Sequence, residues 1–493
     1  MKKISTCLFS LFLTLFLVGI LFTPIKLKAQ KSNSQLMNDE LAAASFKLNA
    51  EERHIFDTVQ YKTFQFFYEG AEPNSGMACE RVHMDNNYPE NDQHIVTTGG
   101  SGFGVMAIMV GVYRGWITEV EGANRMIRIL DFLGKADRFH GAWPHWLDGQ
   151  TGTVKPFGQK DNGGDLVESS FLMQGLLCVK EFYEQKTRPE KLKLIPTNEA
   201  FQLRQKQKYI CDKIDQFWRE MEFDWYTRGE DVLYWHWSPS YGWQMNFKVR
   251  GYNECLIMYV LAASSPTHPI SAAVYHKGWA ENGKIKAKNP LKFQNYELNL
   301  RYQGNPPHGG PLFWSHYSYL GLNPIGLVDQ YCNYGNENKS LSMMNYLWCK
   351  ENPMKYKGYG DSSWGLTASY SVRFYAAHAP DSMNDVGVIS PTAAISSFPY
   401  TPIQSTKAMV NWVKNKPMLL GKYGFYDAFS EKDNWMLPHY LAIDQGPAVV
   451  MMENYRSGLF WTLFMSNQDI QKGLLKLGFS SPSIAVEKAR GTK

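Results

Sequence analysis

Residues 161–177 read DNGGDLVESSFLMQGLL. Asp161, Asp165 and Glu168 stand beside two glycines at the head of an apolar segment, and spacings of four and three residues bring them to one side of a helix start. Carboxylates grouped at a helix mouth can hold a polar ligand such as a sugar, or divide acid and base roles between them. Asp165 with Glu168 also fits an acidic capping box, whose side chains bond the free amides of the first turn. Both readings stay open on this stretch alone. The recurrence of such acids among tryptophans elsewhere favours function.

Outward from this point the chain is helical in pattern. Upstream, Glu51 to Glu69 carries apolar residues at helical spacing, and two patterns joined at Gly115 form a helical hairpin. The short extended stretch HGAWPHWLDGQTGTVKPF, with its turn at Asp148–Gly149, delivers Trp143, His145 and Trp146 just before the acids. Downstream, helices are expected from Asp165 to about Glu184, Thr197 to Glu222, Glu254 onward, Tyr317 to Tyr331, Asn336 to Lys350, Ser405 to Val413 and Pro447 to Phe464. Long aromatic loops separate them, one of which, DWYTRGEDVLYWHWSPSYGWQMNFKVR, holds Trp235, Trp237 and Trp243. Strand periodicity is scarce and no alternating βα pattern is present. The expected fold class is all-α, an α/α toroid with long aromatic loops and a few short β-hairpins.

The first 29 residues have Lys2 and Lys3, an apolar run to Phe22 and Leu-Lys-Ala before Gln30, which reads as a secretory signal peptide cut after Ala29. The run is long enough that an uncleaved anchor stays open, and Cys7 lies within it instead of at a lipoprotein cleavage site. Residues 30–493 then form a single domain, periplasmic or secreted. Lys2, Lys3, Lys26 and Lys28 leave with the leader and no acid goes with them, so the formal +5 falls nearly to zero. Nothing asks for nucleic acid or an anionic membrane, and an uncharged partner is expected. The six remaining cysteines have no CxxC pair, and Cys178 and Cys255 fall in apolar helical patterns as free core residues. Most of the 15 tryptophans and 28 tyrosines seal a core, while those on loops suit stacking on sugar rings.

Glu254 follows the YWHWSPSYGWQ loop and opens an apolar helix. Partial desolvation there raises a carboxyl pKa, as a general acid requires. Asp444 precedes Gly446–Pro447, which fits a helix entry, and Glu453 with Arg456 reads as a supporting ion pair. Glycoside hydrolysis needs two carboxyl groups across the scissile bond, and Glu254, Asp444, Asp165 and Asp161 are the candidates. Glu168, Trp143, His145, Trp146, Trp235, Trp237, Trp243, Trp314, His316 and Trp364 are the candidate sugar contacts. The GSGFGVMA run echoes a dinucleotide loop, but a helix follows where a second strand belongs, so no nucleotide cofactor is expected. Neither calcium-loop nor zinc-helix spacing is present, and no metal or other cofactor is expected.

The ordered blocks TTGGSGFG, GGDLVESSFLMQGLL, GYNECLIMYVLAASSP, GGPLFWSHYS, SSWGLTAS and IDQGPAVVMMENYRSGLFW resemble the bacterial glucoamylase-like proteins, and among them glycoside hydrolase family 144, the β-1,2-glucanases. The resemblance implies an (α/α)6 toroid and metal-free, inverting hydrolysis of β-1,2-glucan, endo-acting or sophorose-releasing. By position it implies Glu254 as general acid, Asp444 as candidate base, and Asp161, Asp165 and Glu168 as further cleft carboxylates, with Asp165 or Asp161 as alternative bases. A monomer acting on an oligo- or polysaccharide is expected. The rivals are a toroid glycosidase for another glucan or for short oligosaccharides, and a sugar-capture protein without chemistry.

Overall fold

The structure, a computed structural model, describes residues 46–88, 91–184 and 197–484; the expected leader, residues 1–29, lies outside them. Helices form the frame. Helix α1 (Ala50–Tyr68) starts at a capping box of Asn49 and Glu52, and α2 (Thr98–Arg114) at a Thr97 cap. Gly115, at φ 72°, ends α2 and turns the chain through a Thr118–Glu121 capping box into α3 (Glu119–Leu133), the hairpin expected from the sequence. The frame continues with α4 (Leu166–Glu184), α5 (Thr197–Glu220), α6 (Leu256–Ser264), α7 (Tyr334–Glu351), α8 (Pro391–Ser396), α9 (Pro402–Asn415), α10 (Ala442–Ser457), α11 (Leu459–Ser466) and α12 (Gln468–Lys476).

Two kinds of helix differ in what they bury. Helices α2, α4, α6 and α10 are buried over most of their length on every side. Helices α3, α5, α9 and α12 bury one face; in α5 it is Leu203, Gln207, Ile210, Ile214 and Phe217, an i, i+4, i+7 row. The inner pair α2 and α4 touch backbone to backbone. A Cβ on Gly102 would lie 2.3 Å from the Phe171 carbonyl oxygen, and one on Gly175 would lie 2.1 Å from that of Gly102. The glycines of TTGGSGFG therefore serve helix packing.

The starts of the inner helices are tied together by short antiparallel pairs. Ile95–Thr97 pairs with Trp146–Asp148, Gly164–Asp165 with His236–Trp237, and Arg81–His83 with His439–Leu441. The Ala442 amide bonds the Glu80 carbonyl, the Gly99 amide bonds the Glu168 carboxylate, and the Leu166 amide bonds the Trp235 carbonyl. The amide ends of α2, α4 and α10 thus converge on one region, where their dipoles favour negative charge.

Several expected elements are corrected. No helix spans 317–331: short 3₁₀ turns at Leu312–Ser315 and Tyr317–Tyr319 give way to irregular chain, because Gly321, Pro324 and Gly326 interrupt any continuous ladder. The 447–464 helix begins earlier, at Ala442, and breaks at Gly458, φ 66°, with Pro447 inside α10. The hairpin Lys286–Phe293 with Tyr296–Leu300 was not foreseen, its strands being rich in Lys and Asn. Glu453 does not pair with Arg456. It takes Arg114 from α2, and Arg456 takes Asp57 from α1, so both join neighbouring helices. The six described cysteines are free, Cys178 and Cys255 buried as expected.

Candidate active site

Residues 161–177 cap their own helix and gather two of their acids around one histidine. Asp165 Oδ1 accepts the Glu168 amide at 2.9 Å, which caps α4. Its other oxygen, Oδ2, accepts the Trp235 indole at 3.0 Å and lies 3.2 Å from His145 Nδ1. Asp161 lies 3.6 Å from the same nitrogen and 3.3 Å from His236 Nε2, which itself accepts the Gly163 amide. Burial opposes charge on His145. The charge of Glu168 and the nearby Asp161 and Asp165 carboxylates outweigh it and hold the ring well above the ordinary histidine value. His145 is therefore a cation at neutral pH, stacked on Phe157 at 4.2 Å with Trp146 edge-on.

Glu168 sits just behind, its Oε2 on the Gly99 amide at 2.9 Å. Burial pushes its pKa up to about 7; His145 works against that rise and Asp165 adds to it. Glu254 lies in the turn before α6, which starts at Leu256, so it precedes the helix instead of opening it. It is partly exposed, and its pKa too is raised to about 7, by burial first and by the Glu168 charge in addition, while a hydrogen bond from the Trp314 indole favours ionisation. A carboxyl group that keeps its proton near neutrality and still meets solvent can donate it to a leaving oxygen.

A second carboxyl pair was not foreseen. Asp444, in the first turn of α10, faces Asp427, both groups being buried and Asp427 strengthening the hold of Asp444 on a proton. Asp427 Oδ2 accepts the Tyr370 amide at 3.0 Å, while Asp427 Oδ1 and Asp444 Oδ2 are buried with no hydrogen-bond partner. Two carboxyl groups bond only through a shared proton. Burial pushes Asp427 up to about 7 and Asp444 well above its usual value, with Asp427 and Glu80 adding to the rise at Asp444. Glu80 is paired with Arg81, whose Nη1 reaches the Tyr370 hydroxyl at 2.6 Å. Tyr317 links the two acid groups: its hydroxyl pKa is raised well above normal by burial and by Asp444, Tyr375, Glu254 and Glu168.

The structure sorts the aromatic candidates. Trp146, Trp235 and Trp314 belong to the acid groups, and Tyr375, 43% exposed, adds aromatic surface near Asp444 that the sequence reading had not named. Trp143 and Trp364 are fully buried. Their indoles donate to the carbonyls of Leu133 and Gln404, so they build walls and touch no substrate. His316 is also buried against Ser397, and burial drives its pKa down to about 3. Trp237 and Trp243 turn to an outer cluster with Trp225 and His140, because neighbouring strand residues point to opposite faces and His236 takes the inward one. No periodicity marks Asp427 or the adjacent pair Glu80–Arg81, and the segments they meet, at Tyr370 and Ala442, are remote from 80–81 in the chain. His145 with Asp161 and Asp165 has ligand atoms within 4.8 Å, a set able to hold a cation, and the His145 charge already neutralises those acids in part.

The family model named Glycoamylase matches residues 246–468. A solved endo-β-1,2-glucanase from Chitinophaga pinensis is 58% identical, superposes with a TM-score of 0.83, and covers 89% of this chain and 100% of its own. A solved β-1,2-glucanase from Parabacteroides distasonis is 40% identical with a TM-score of 0.77, covering 88% of this chain and 60% of its own. The curated exo β-1,2-glucooligosaccharide sophorohydrolase of that organism is 42% identical over 455 residues, and this chain spans 60% of its length. An endo-β-1,2-glucanase from Talaromyces funiculosus, 12% identical with a TM-score of 0.62, shares the fold alone. With identity of this order along the full length of a solved relative, the chain belongs to the glucoamylase-like family of β-1,2-glucanases, glycoside hydrolase family 144.

Proposed function

We propose that this protein hydrolyses β-1,2-glucan with inversion, Glu254 protonating the leaving oxygen and Asp444 serving as base. The observation that carries the reading is the state of Glu254. It is partly open to solvent, desolvated by its surroundings to a pKa of about 7, and beside the indole of Trp314. Asp444 shares a proton with Asp427, so one carboxylate of that pair remains to draw a proton from water. Inversion requires the two groups to stand roughly 6.5–9.5 Å apart, room for that water. Asp161, Asp165 and Glu168, neutralised in part by His145, orient sugar hydroxyls beside the scissile bond.

The alternation of buried and one-faced helices supports an (α/α)6 toroid made of one domain, with the site at the helix starts. The complete coverage of the Chitinophaga pinensis enzyme supports cleavage within chains. The sophorohydrolase relative supports release of sophorose from a chain end as the second reading. Export by residues 1–29 and action as a monomer complete the proposal.

The test is incubation with linear β-1,2-glucan while product length and anomeric form are followed. A ladder of oligosaccharides with the α-anomer first supports internal, inverting cleavage. Sophorose alone from the start supports chain-end action, and the β-anomer first excludes inversion. Loss of turnover in Glu254→Gln with binding retained supports its role; unchanged turnover removes it.

A further inference from the structure

We propose that His83, His439 and Asp85 form a binding site for one divalent cation of zinc-like character, beside the acid groups and separate from them. The argument begins with strand register. His83 stands directly opposite His439 where Arg81–His83 pairs with His439–Leu441. The Ala442 amide bonds the Glu80 carbonyl and the Met84 amide bonds the Pro438 carbonyl, so the intervening odd-numbered pair His83/His439 is a non-hydrogen-bonded one. Side chains approach most closely at such pairs. The two rings are accordingly 3.8 Å apart between centroids and tilted by 34°.

Asp85 follows His83 by two residues, and one ligand atom from each of His83, Asp85 and His439 lies within 4.8 Å of the others. A tetrahedral zinc ion with bonds of about 2.0–2.1 Å needs ligand atoms roughly 3.3–3.5 Å apart, within reach of small side-chain rotations. Two imidazoles and a carboxylate leave the fourth position to water or to a further carboxylate.

The second observation is independent of this grouping. His83 is buried to 7% exposure, yet its Nε2 has no hydrogen-bond partner. Its nearest acidic oxygen, Asp92 Oδ2, is 3.8 Å away, and Asp92 Oδ1 is buried without a partner too. Asp92 Oδ2 lies 3.5 Å from Arg81 Nε, while the His83 ring nitrogen and Asp92 Oδ1 stay unbonded, and each such buried polar atom costs free energy unless something bonds it. A cation held by His83 and His439, with Asp85 and Asp92 supplying oxygen and negative charge, satisfies both. Imidazole donors select zinc, copper or nickel over magnesium or calcium.

The experiment is competition of Zn²⁺ against a chromophoric chelator, using the whole protein, with Co²⁺ absorption as a second readout. The expected result is one ion per chain and a tetrahedral Co²⁺ spectrum. His439→Gln, at a partly exposed position, and Asp85→Asn, at an exposed one, should each weaken binding by about tenfold or more, as loss of a ligand does. Unchanged affinity in both variants overturns the site. Loss of binding in His145→Gln with none in His439→Gln also overturns it, since the ion would then sit among Asp161 and Asp165.

Discussion

The two acid groups use the same residue types to opposite electrostatic ends. Asp161 and Asp165 share a protonated histidine, and Asp165 also accepts the Trp235 indole, so their charge is met by a cation and, at Asp165, by a hydrogen bond. Asp427 and Asp444 have no histidine beside them among the described residues, and burial and the Asp427 charge favour a retained proton on the pair, while the Arg81 guanidinium is bonded to Glu80 and Tyr370. The first arrangement is suited to holding neutral hydroxyls in a fixed orientation. The second keeps a carboxylate poised to take a proton. Identity as aspartate does not assign a role; the neighbours do.

The largest expected effect tests whether the chemistry lies beyond both pairs, at Glu254. Glu254→Gln should reduce kcat by about 10²–10⁴-fold with KM little changed, the usual weight of a general acid. In the unaltered enzyme turnover should fall as pH rises through about 7, as Glu254 loses its proton. A variant with full turnover, or an enzyme whose rate is flat across that range, assigns proton donation elsewhere.

Next come substitutions that should move the pH profile in opposite directions. Asp427→Asn removes the competitor for the shared proton and should shift the acidic limb downward by about one unit, as an uncharged amide donates to Asp444. His145→Gln removes a cation and should shift the limb upward, with turnover reduced by about tenfold. Shifts of the same sign would break the contrast between the pairs.

Stability should separate the groups as well. His145 has its folded pKa raised, so its contribution is complete below the unfolded value near 6.5 and is lost as pH rises through the folded value. The difference in Tm between the native protein and His145→Gln should therefore shrink at high pH. Glu254 is a carboxyl raised to about 7, so folding holds its proton more tightly and stability declines between about pH 4.3 and 7. Glu254→Gln should melt about 1–3 °C higher at pH 8 and equally at pH 4, by calorimetry. A lower Tm at pH 8 would mean that the Glu254 carboxylate is structurally paired.

The smallest effect on catalysis should come from the buried tryptophans. Trp143→Phe should destabilise by about 1–3 kcal/mol through lost packing and the lost bond to Leu133, with KM unchanged. Trp235→Phe should instead act on kcat through Asp165. A rise in KM for Trp143→Phe would place that ring on the substrate after all.

What was legible followed from local order. Asp161, Asp165 and Glu168 could be grouped because three- and four-residue spacing sets them around one helix start. His145 and Trp146 could be placed because a short hairpin leads into that start. Trp143, Trp364 and His316 were misread because residue type and loop-like context do not say which way a ring points. Asp427 and the adjacent pair Glu80–Arg81 carried no pattern, since they lie in segments far apart in the chain. The 286–300 hairpin escaped notice for a related reason: its strands alternate weakly, and the turn depends on Gln294 at φ 52°.

By itself the sequence determined the helical frame, its caps and breaks, and the acids at the helix starts, because short-range sterics, periodicity and amide capping act over a few residues. Tertiary structure decided the charge of those acids, which aromatic rings lie against them and which are buried away, and that Asp427 stands against Asp444. Protonation depends on burial and on charges a few ångströms away, and here those charges arrive from opposite ends of the chain.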